Sequence, residues 1–203
     1  MTEQLHEELR VGIEDEVRDR FRKAADDPRG HFAYPTGRAG LLALGYAAEM
    51  LGALPEAVQH FYCGVGNPFE AGLPAAGEQV LDVGCGAGVD ALLAARQVGP
   101  QGRVTGLEFS PAMCERARLN ATAAGAGNAS FLLGSAEALP FADASFDVLL
   151  SNGVYNLVLR KKLALAEACR VLRPGGRLLV ADQILEDDAP LELSPPSALA
   201  WAG

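Results

Sequence analysis

The sequence predicts an α/β fold: a parallel sheet of five strands with helices on both faces, preceded by an N-terminal helical cap. Three observations predict it. From Gln79 onward, short apolar strand-like runs alternate with helical patterns, the rhythm of parallel strands joined by helical crossovers. A glycine-rich turn, Gly84-Cys85-Gly86-Ala87-Gly88, follows the first of those runs and opens the first crossover helix. Before residue 70 the regular spacing is helical instead.

Taken in order, residues 3–25 carry Leu5, Leu9, Ile13, Val17 and Phe21 at intervals of four, with charged residues between. That is an amphipathic helix whose apolar stripe needs a surface, either the main domain or a second subunit. Asp26-Asp27-Pro28-Arg29-Gly30 ends it. His31 to Pro35 reads as extended or turn-like, because Pro35 biases Tyr34 away from helix. Short helices are expected over 37–44 and 47–51, split around Gly45, and over 55–61 with Pro55 in the first turn. Tyr62 to Phe69 is a glycine-rich loop. Residues 1–69 are therefore read as a cap, since a separate domain of that size would be marginal.

The strands are expected at 79–83, 103–107, 129–133, 146–151 and 176–182. The helices between them fall near 89–97, 111–124 and 160–172, with at most one turn at 137–139. Each crossover should be right-handed. Ser110-Pro111 supplies an N-cap and a proline at the first helical position. Arg173-Pro174-Gly175-Gly176 closes the last helix and turns the chain into the fifth strand. The stretch after Asp182 is acidic and proline-rich, with a short helix expected near Ser197 to Trp201. It is too short for another crossover and strand, which places the fifth strand near a sheet edge. Three segments follow: the cap (1–69), a main α/β domain (70–185) and a tail (186–203).

Composition narrows the function. The 203 residues are 49% apolar, enough for one domain with a sizeable core. The net charge of −9 provides no basic footprint for nucleic acid or an anionic membrane. Cys63, Cys85, Cys114 and Cys169 are widely spaced without a C-x-x-C pair, so neither a disulfide framework nor a metal site is signalled. Reduced thiols in a cytoplasm are expected. The N-terminus has no signal-peptide pattern, and no apolar run approaches a membrane span.

Val80-Leu81-Asp82-Val83 reads as a buried strand running into the glycine turn. Glycines let the backbone turn tightly and let a ligand approach without meeting a Cβ. The turn is G-x-G-x-G, not G-x-G-x-x-G, because residue 89 is Val; this leans away from nicotinamide cofactors. Glu108 ends the second strand, at the distance of about 20 residues where an acid grips a ribose diol. A carboxylate there accepts strong charge-assisted hydrogen bonds. The plainer alternative is a solvated surface glutamate, but Asp82 and three glycines in register favour the ligand.

Taken together, Val80 to Gly88, Glu108, Gly134 to Phe141, Phe146 to Asn152 and Arg170 to Arg177 resemble a Rossmann-like class I S-adenosylmethionine-dependent methyltransferase over roughly residues 55–200. Gln97 to Gly106, Ser151 to Leu157 and Gly64 to Pro68 are similar to arsenite methyltransferases in particular. Ubiquinone- and menaquinone-type C-methyltransferases come next, through Ala136 to Phe141. The resemblance implies S-adenosylmethionine as cofactor and a small-molecule methyl acceptor. It implies that Asp82, Gly84, Gly86 and Gly88 line the methionine and ribose side and that Glu108 holds the ribose hydroxyls. Phe109 would flank the adenine, with Ser135, Ala136 and Glu137 along its edge. Many relatives carry Asp where Ser135 stands. Asn152 would sit near the transferred methyl group.

Departures matter as much. Arsenite methyltransferases carry a Cys after the Ser-Asn pair and another inside the Gly-x-Gly-x-Pro loop, where this chain has Gly153 and Val65. Trivalent arsenic is soft and needs thiolates. Cys63 lies two residues from Val65 and substitutes only if the loop folds differently. Chains of the family it resembles continue past the equivalent of Trp201-Ala202-Gly203 into a Cys-bearing segment, so the expectation is either a truncated chain or a shorter relative whose pocket lies open.

Methyl transfer from a sulfonium is an in-line displacement activated by the cofactor, so the protein supplies mainly proximity and orientation. Asn152, Tyr62 and Cys63 are the catalytic candidates, within a wider set of His31, Tyr34, His60, Tyr155 and Asn156. Plainer readings compete: His60 as a helix-surface residue, Asn156 as a cap, Asp182 as a turn residue, Cys85 as a space-filler, and Cys114 and Cys169 as buried small hydrophobes. Two other functional readings stand beside the enzyme. One is a non-catalytic cofactor-binding module acting with a partner through the N-terminal helix, a homodimer included. The other is a nicotinamide oxidoreductase, which Val89 and Ala136 to Phe141 disfavour.

Overall fold

The structure, a computed structural model, describes residues 3–184, with side chains from residue 11 onward. Four helices come first: α1 (Glu3–Ala24), α2 (Gly37–Ala43), α3 (Ala48–Gly52) and α4 (Glu56–Gln59), then a 3-10 turn at Pro68–Ala71. The sheet follows: β1 (Gln79–Val83), α5 (Val89–Val98), β2 (Arg103–Glu108), α6 (Pro111–Ala124), β3 (Ala129–Leu133), β4 (Phe146–Asn152), α7 (Lys161–Val171) and β5 (Leu172–Ala181). The five strands are parallel in the order β3-β2-β1-β4-β5. The chain builds outward from β1 to β3, then returns to β4 on the other side. The carboxyl ends of β1 and β4 therefore flank the switch point where open sheets hold ligands.

The unbroken apolar run of β1 reflects burial on both faces. Val80 packs with Leu92, Ala95 and Val104 on one side. Leu81 and Val83 pack with Leu149, Ala168 and Val171 on the other. Helices thus cover both faces, as expected. Leu41, Leu51, Leu54 and Val58 of the α2–α4 region join the cluster of Val80 and Leu92, so the cap shares its core with the sheet. At the C-terminal end of α1 the stripe residue Phe21 packs against the cluster of Ala24, Ala25, Ala87 and Met113 in the chain's own domain, and Arg116 Nε donates to the Ala25 carbonyl at 2.9 Å.

At the start of α6, Ser110 Oγ accepts from Met113 N at 3.5 Å and Pro111 stands at the first position, the cap the sequence predicts. Other boundaries move. Strand β5 begins at Leu172 rather than 176, because Leu172 pairs with Phe146 before a bulge, and regular pairing resumes from Val148 and Arg177. Residues 137–139 form no helix; a bridge between Ser135 and Ala138 closes a turn there. The first and third of the short helices are trimmed at their ends, and the second is shifted by one residue, to Ala48–Gly52. Cys114 is buried as expected, whereas Cys169 is exposed on α7, because the apolar face of that helix is carried by Ala164, Ala168 and Val171. Strand β5 sits at the sheet edge. The helix expected at 197–201 lies outside the described residues. Among those described, no helix is long and apolar enough to cross a membrane.

Candidate cofactor and active site

A cleft opens where β1, β2 and β4 end. The glycine turn, Glu108 and Asn152 line it, and Ile13, Val17 and Phe21 of α1 form part of its wall. The three glycines of the turn are all left-handed, at φ 67°, 53° and 83° for Gly84, Gly86 and Gly88. Their surroundings differ. A Cβ on Gly84 would lie 2.3 Å from Val154 Cγ2, and one on Gly88 would lie 2.9 Å from Phe131 Cε1 and 3.1 Å from Ala117 Cβ. A Cβ on Gly86 would meet nothing within 4 Å. Gly86 is thus the open face of the turn. Gly88, expected as a lining residue, is not part of the cleft wall; it is small so that α5 can begin against Phe131. Cys85 fills space, its Sγ lying where a side chain at Gly106 would go.

Three carboxylates surround this turn, and their direct partners are neutral. Glu108 Oε2 accepts from Gly86 N at 2.8 Å and Oε1 from Ser110 N at 2.7 Å. Burial raises its pKa, against the backbone bonds that hold it down. Asp82 is 2% exposed and its Oδ2 has no hydrogen-bond partner. Burial, then the charges of Asp90 and Glu108, push it well above the usual carboxylate range. Asp90, in the first turn of α5, accepts from Tyr46 Oη at 2.7 Å and Asn152 Nδ2 at 2.9 Å. Burial moves it from 3.8 up to about 6, and those two bonds restrain the rise. An orphaned carboxylate oxygen, two further buried carboxylates and an open glycine fit a cationic ligand.

Asn152 proves to be a junction. Its Oδ1 accepts from Val65 N and Gly66 N at 2.9 and 3.1 Å. Its Nδ2 donates to Asp90, to Gly66 O at 2.8 Å and to Tyr62 Oη at 3.1 Å. Tyr62 Oη in turn donates to Gly66 O at 2.7 Å. The side chain thus fastens the 64–66 loop to α5. Cys63 lies in the cleft wall, and burial, then the charges of Glu108 and Asp90, push its thiol up to about 12. It is a protonated thiol at neutral pH.

Phe109, Ser135, Ala136 and Glu137 all line the cleft. The Phe109 ring lies under the Arg18 guanidinium at 4.4 Å. Ser135 Oγ accepts from Glu137 N at 3.2 Å. The Glu137 carboxylate is turned to Arg160, with Nε at 2.6 Å and N at 3.0 Å. Among the other candidates, Tyr34 and Asn156 reach the cleft wall, whereas His31, His60 and Tyr155 do not. His60 Nε2 faces Asp27 at 3.3 Å instead. Asp182 Oδ2 accepts from Asn156 N at 3.2 Å, which suits a turn residue. Sequence reasoning passed over Asp90, Tyr46 and Arg18. For Asp90 the signal was an acid inside the apolar run Val89 to Ala95.

Asp90 gives a stability prediction. The folded state holds its proton more tightly than the unfolded chain, so its contribution is fully present below about pH 4 and is lost as pH rises through about 6. Carboxylates held low by arginines, such as Glu78 and Glu167, stay ionised throughout the window from pH 5 to 7.5. Chemical denaturation should therefore find the chain less stable at pH 7.5 than at pH 5, by about 1–1.5 kcal/mol from Asp90. Asp90→Asn should remove that share of the slope; an unchanged slope would contradict the assignment.

A parallel sheet of this order, with a G-x-G-x-G turn after β1 and an acid ending β2, defines a nucleoside-cofactor domain. The chain belongs to the methyltransferase domain family, whose model matches residues 74–198. S-adenosylmethionine is the cofactor that membership implies. The chain is 41% identical over 149 residues to an arsenite methyltransferase of Halobacterium salinarum, a match covering 73% of this chain and 38% of that protein. It is 41% identical over 107 residues to a demethylmenaquinone methyltransferase of Listeria monocytogenes, covering 52% of this chain and 45% of that one. Among solved structures, an arsenic(III) S-adenosylmethionine methyltransferase from Chlamydomonas reinhardtii superposes with a TM-score of 0.60 at 39% identity, over 66% of this chain and 47% of that chain. Each match spans less than half of the relative's own length.

Proposed function

We propose that the chain is an S-adenosylmethionine-dependent methyltransferase acting on a small-molecule acceptor. The observation that carries this reading is the trio Asp82, Asp90 and Glu108, buried with neutral partners around the open face of Gly86. Glu108 would hold the ribose hydroxyls through the lone pairs left free by Gly86 N and Ser110 N. Asp82 would meet the cationic methionine end through its unpartnered Oδ2, and Phe109, Ser135 and Ala136 would border the adenine. Bound there, the cofactor supplies a sulfonium-activated methyl group. The chain's own contribution is orientation and the exclusion of water. Asn152 and Tyr62 hold the 64–66 loop at the reacting end, which makes them positioning residues in this reading. Residues 1–69 act as a cap on the cofactor domain at 70–185.

Arsenite as acceptor has weaker support. Val65 and Gly153 occupy the positions where the resemblance expects thiols, and they are neighbours: a Cβ on Gly153 would lie 3.2 Å from both Val65 methyls. An isopropyl group and a hydrogen stand where a dithiol would be needed, and the nearby Cys63 thiol is held protonated. Ile13, Val17 and Phe21 line the chain's own cleft, which supports the main domain as the surface for this part of the stripe. The four free cysteines support a reducing compartment, the cytoplasm.

Incubation with methyl-labelled S-adenosylmethionine and a metabolite extract tests the reading. Label moving into a small organic product is the expected result. A chain that binds the cofactor yet transfers no label would favour the non-catalytic module.

A further inference from the structure

The acceptor side of the cleft has a chemistry of its own, and the inference drawn from it rests on the methyltransferase reading above. Phe21, Phe32 and Tyr34 stand in series along the wall, with ring centroids 5.9 Å and then 5.3 Å apart and planes tilted at 53° and 35°. Phe61 belongs to the same wall, its ring under the Arg116 guanidinium at 4.2 Å. Val65, Gly153 and Leu157 are further apolar residues of the same cleft wall.

Several polar groups on this side are already engaged within the protein. Tyr34 Oη donates to Cys63 O at 3.1 Å. Tyr62 Oη donates to Gly66 O, and both ends of the Asn152 carboxamide hold the loop and Asp90. The cations in the wall lie over rings, Arg18 over Phe109 and Arg20 at 5.9 Å over Phe32. Of the two cysteines in the wall, Cys63 stands beside the 64–66 loop and Cys85 packs its Sγ towards Gly106, and among the described residues no group of three or more His, Cys, Asp or Glu could hold a metal ion. A flat ring would find aromatic faces to stack on and apolar area to bury.

We propose that the acceptor is a planar aromatic molecule, seated against Phe21, Phe32 and Tyr34 with its reacting edge towards Val65 and Gly153. The test is a calorimetric titration of the chain saturated with S-adenosylhomocysteine, using 2-naphthol as probe and sodium arsenite as counter-probe. Saturable 2-naphthol binding at least tenfold tighter than arsenite is expected. Phe32→Ala should weaken 2-naphthol at least tenfold, and by more than it weakens S-adenosylhomocysteine. Phe32→Leu keeps apolar bulk without the ring face and should weaken it at least threefold, which decides the matter if the alanine variant does not fold. Cofactor binding without 2-naphthol binding, arsenite binding as tightly, or 2-naphthol affinity indifferent to Phe32 would each overturn the aromatic acceptor and leave the methyltransferase reading standing. A chain that binds no S-adenosylhomocysteine would overturn both.

Discussion

Glu108→Ala is expected to weaken S-adenosylhomocysteine binding by about 1.5–3 kcal/mol, roughly 10- to 150-fold. Two losses combine. A charged acceptor for the ribose hydroxyls disappears. So does the pin that holds the turn, because Glu108 Oε2 accepts from Gly86 N at 2.8 Å while Oε1 accepts from Ser110 N at 2.7 Å. Glu108→Gln keeps the shape but turns one end into a donor facing a backbone N–H, so one of those two bonds must fail. Its loss should approach that of the alanine variant. Calorimetry on both variants, with denaturation to show that each is folded, makes the comparison. Unchanged affinity in Glu108→Ala would remove this residue from the site.

The glycine turn yields the second large effect, and it separates folding from binding. Gly88→Ala should destabilise the chain by about 2–4 kcal/mol, because its methyl group would lie 2.9 Å from Phe131 and 3.1 Å from Ala117 Cβ at a φ of 83°. Gly86→Ala meets no protein atom within 4 Å and costs only the left-handed backbone, about 1–2 kcal/mol. Its methyl group stands in the cleft instead, and S-adenosylhomocysteine affinity should fall at least tenfold in a chain that still folds. Thermal melts and titrations of the two variants should therefore rank them in opposite orders. A stable Gly88→Ala, or a Gly86→Ala with full affinity, would contradict the division of roles.

Much of this was legible in the sequence, for local reasons. A strand buried on both faces must be apolar throughout, which made β1 and β4 readable, and the left-handed turn after β1 needs its glycines. Glu108 was legible because it ends a strand at a fixed distance from that turn. What was not legible depends on partners far apart in the chain. Asp90 meets Tyr46 and Asn152 across 44 and 62 residues, so neither its environment nor the engagement of Asn152 with the 64–66 loop could be read from spacing. The start of β5 was misplaced because Leu172 joins the sheet ahead of the Pro-Gly-Gly stretch that the sequence reads as a break. Cys169 was read as buried because alternation along a short helix does not say which flank faces the sheet. Gly88 belonged to the right motif, but only the position of Phe131 shows that it packs rather than lines.

The central claim is that the buried carboxylates around Gly86 form an S-adenosylmethionine site. The most direct test is calorimetric titration of the 203-residue chain with S-adenosylhomocysteine, the wild-type reference for the Glu108 variants. Saturable binding with a Kd in the micromolar range or tighter is the predicted result. No binding by a chain that unfolds cooperatively would contradict the claim, and the cleft would then need a different ligand.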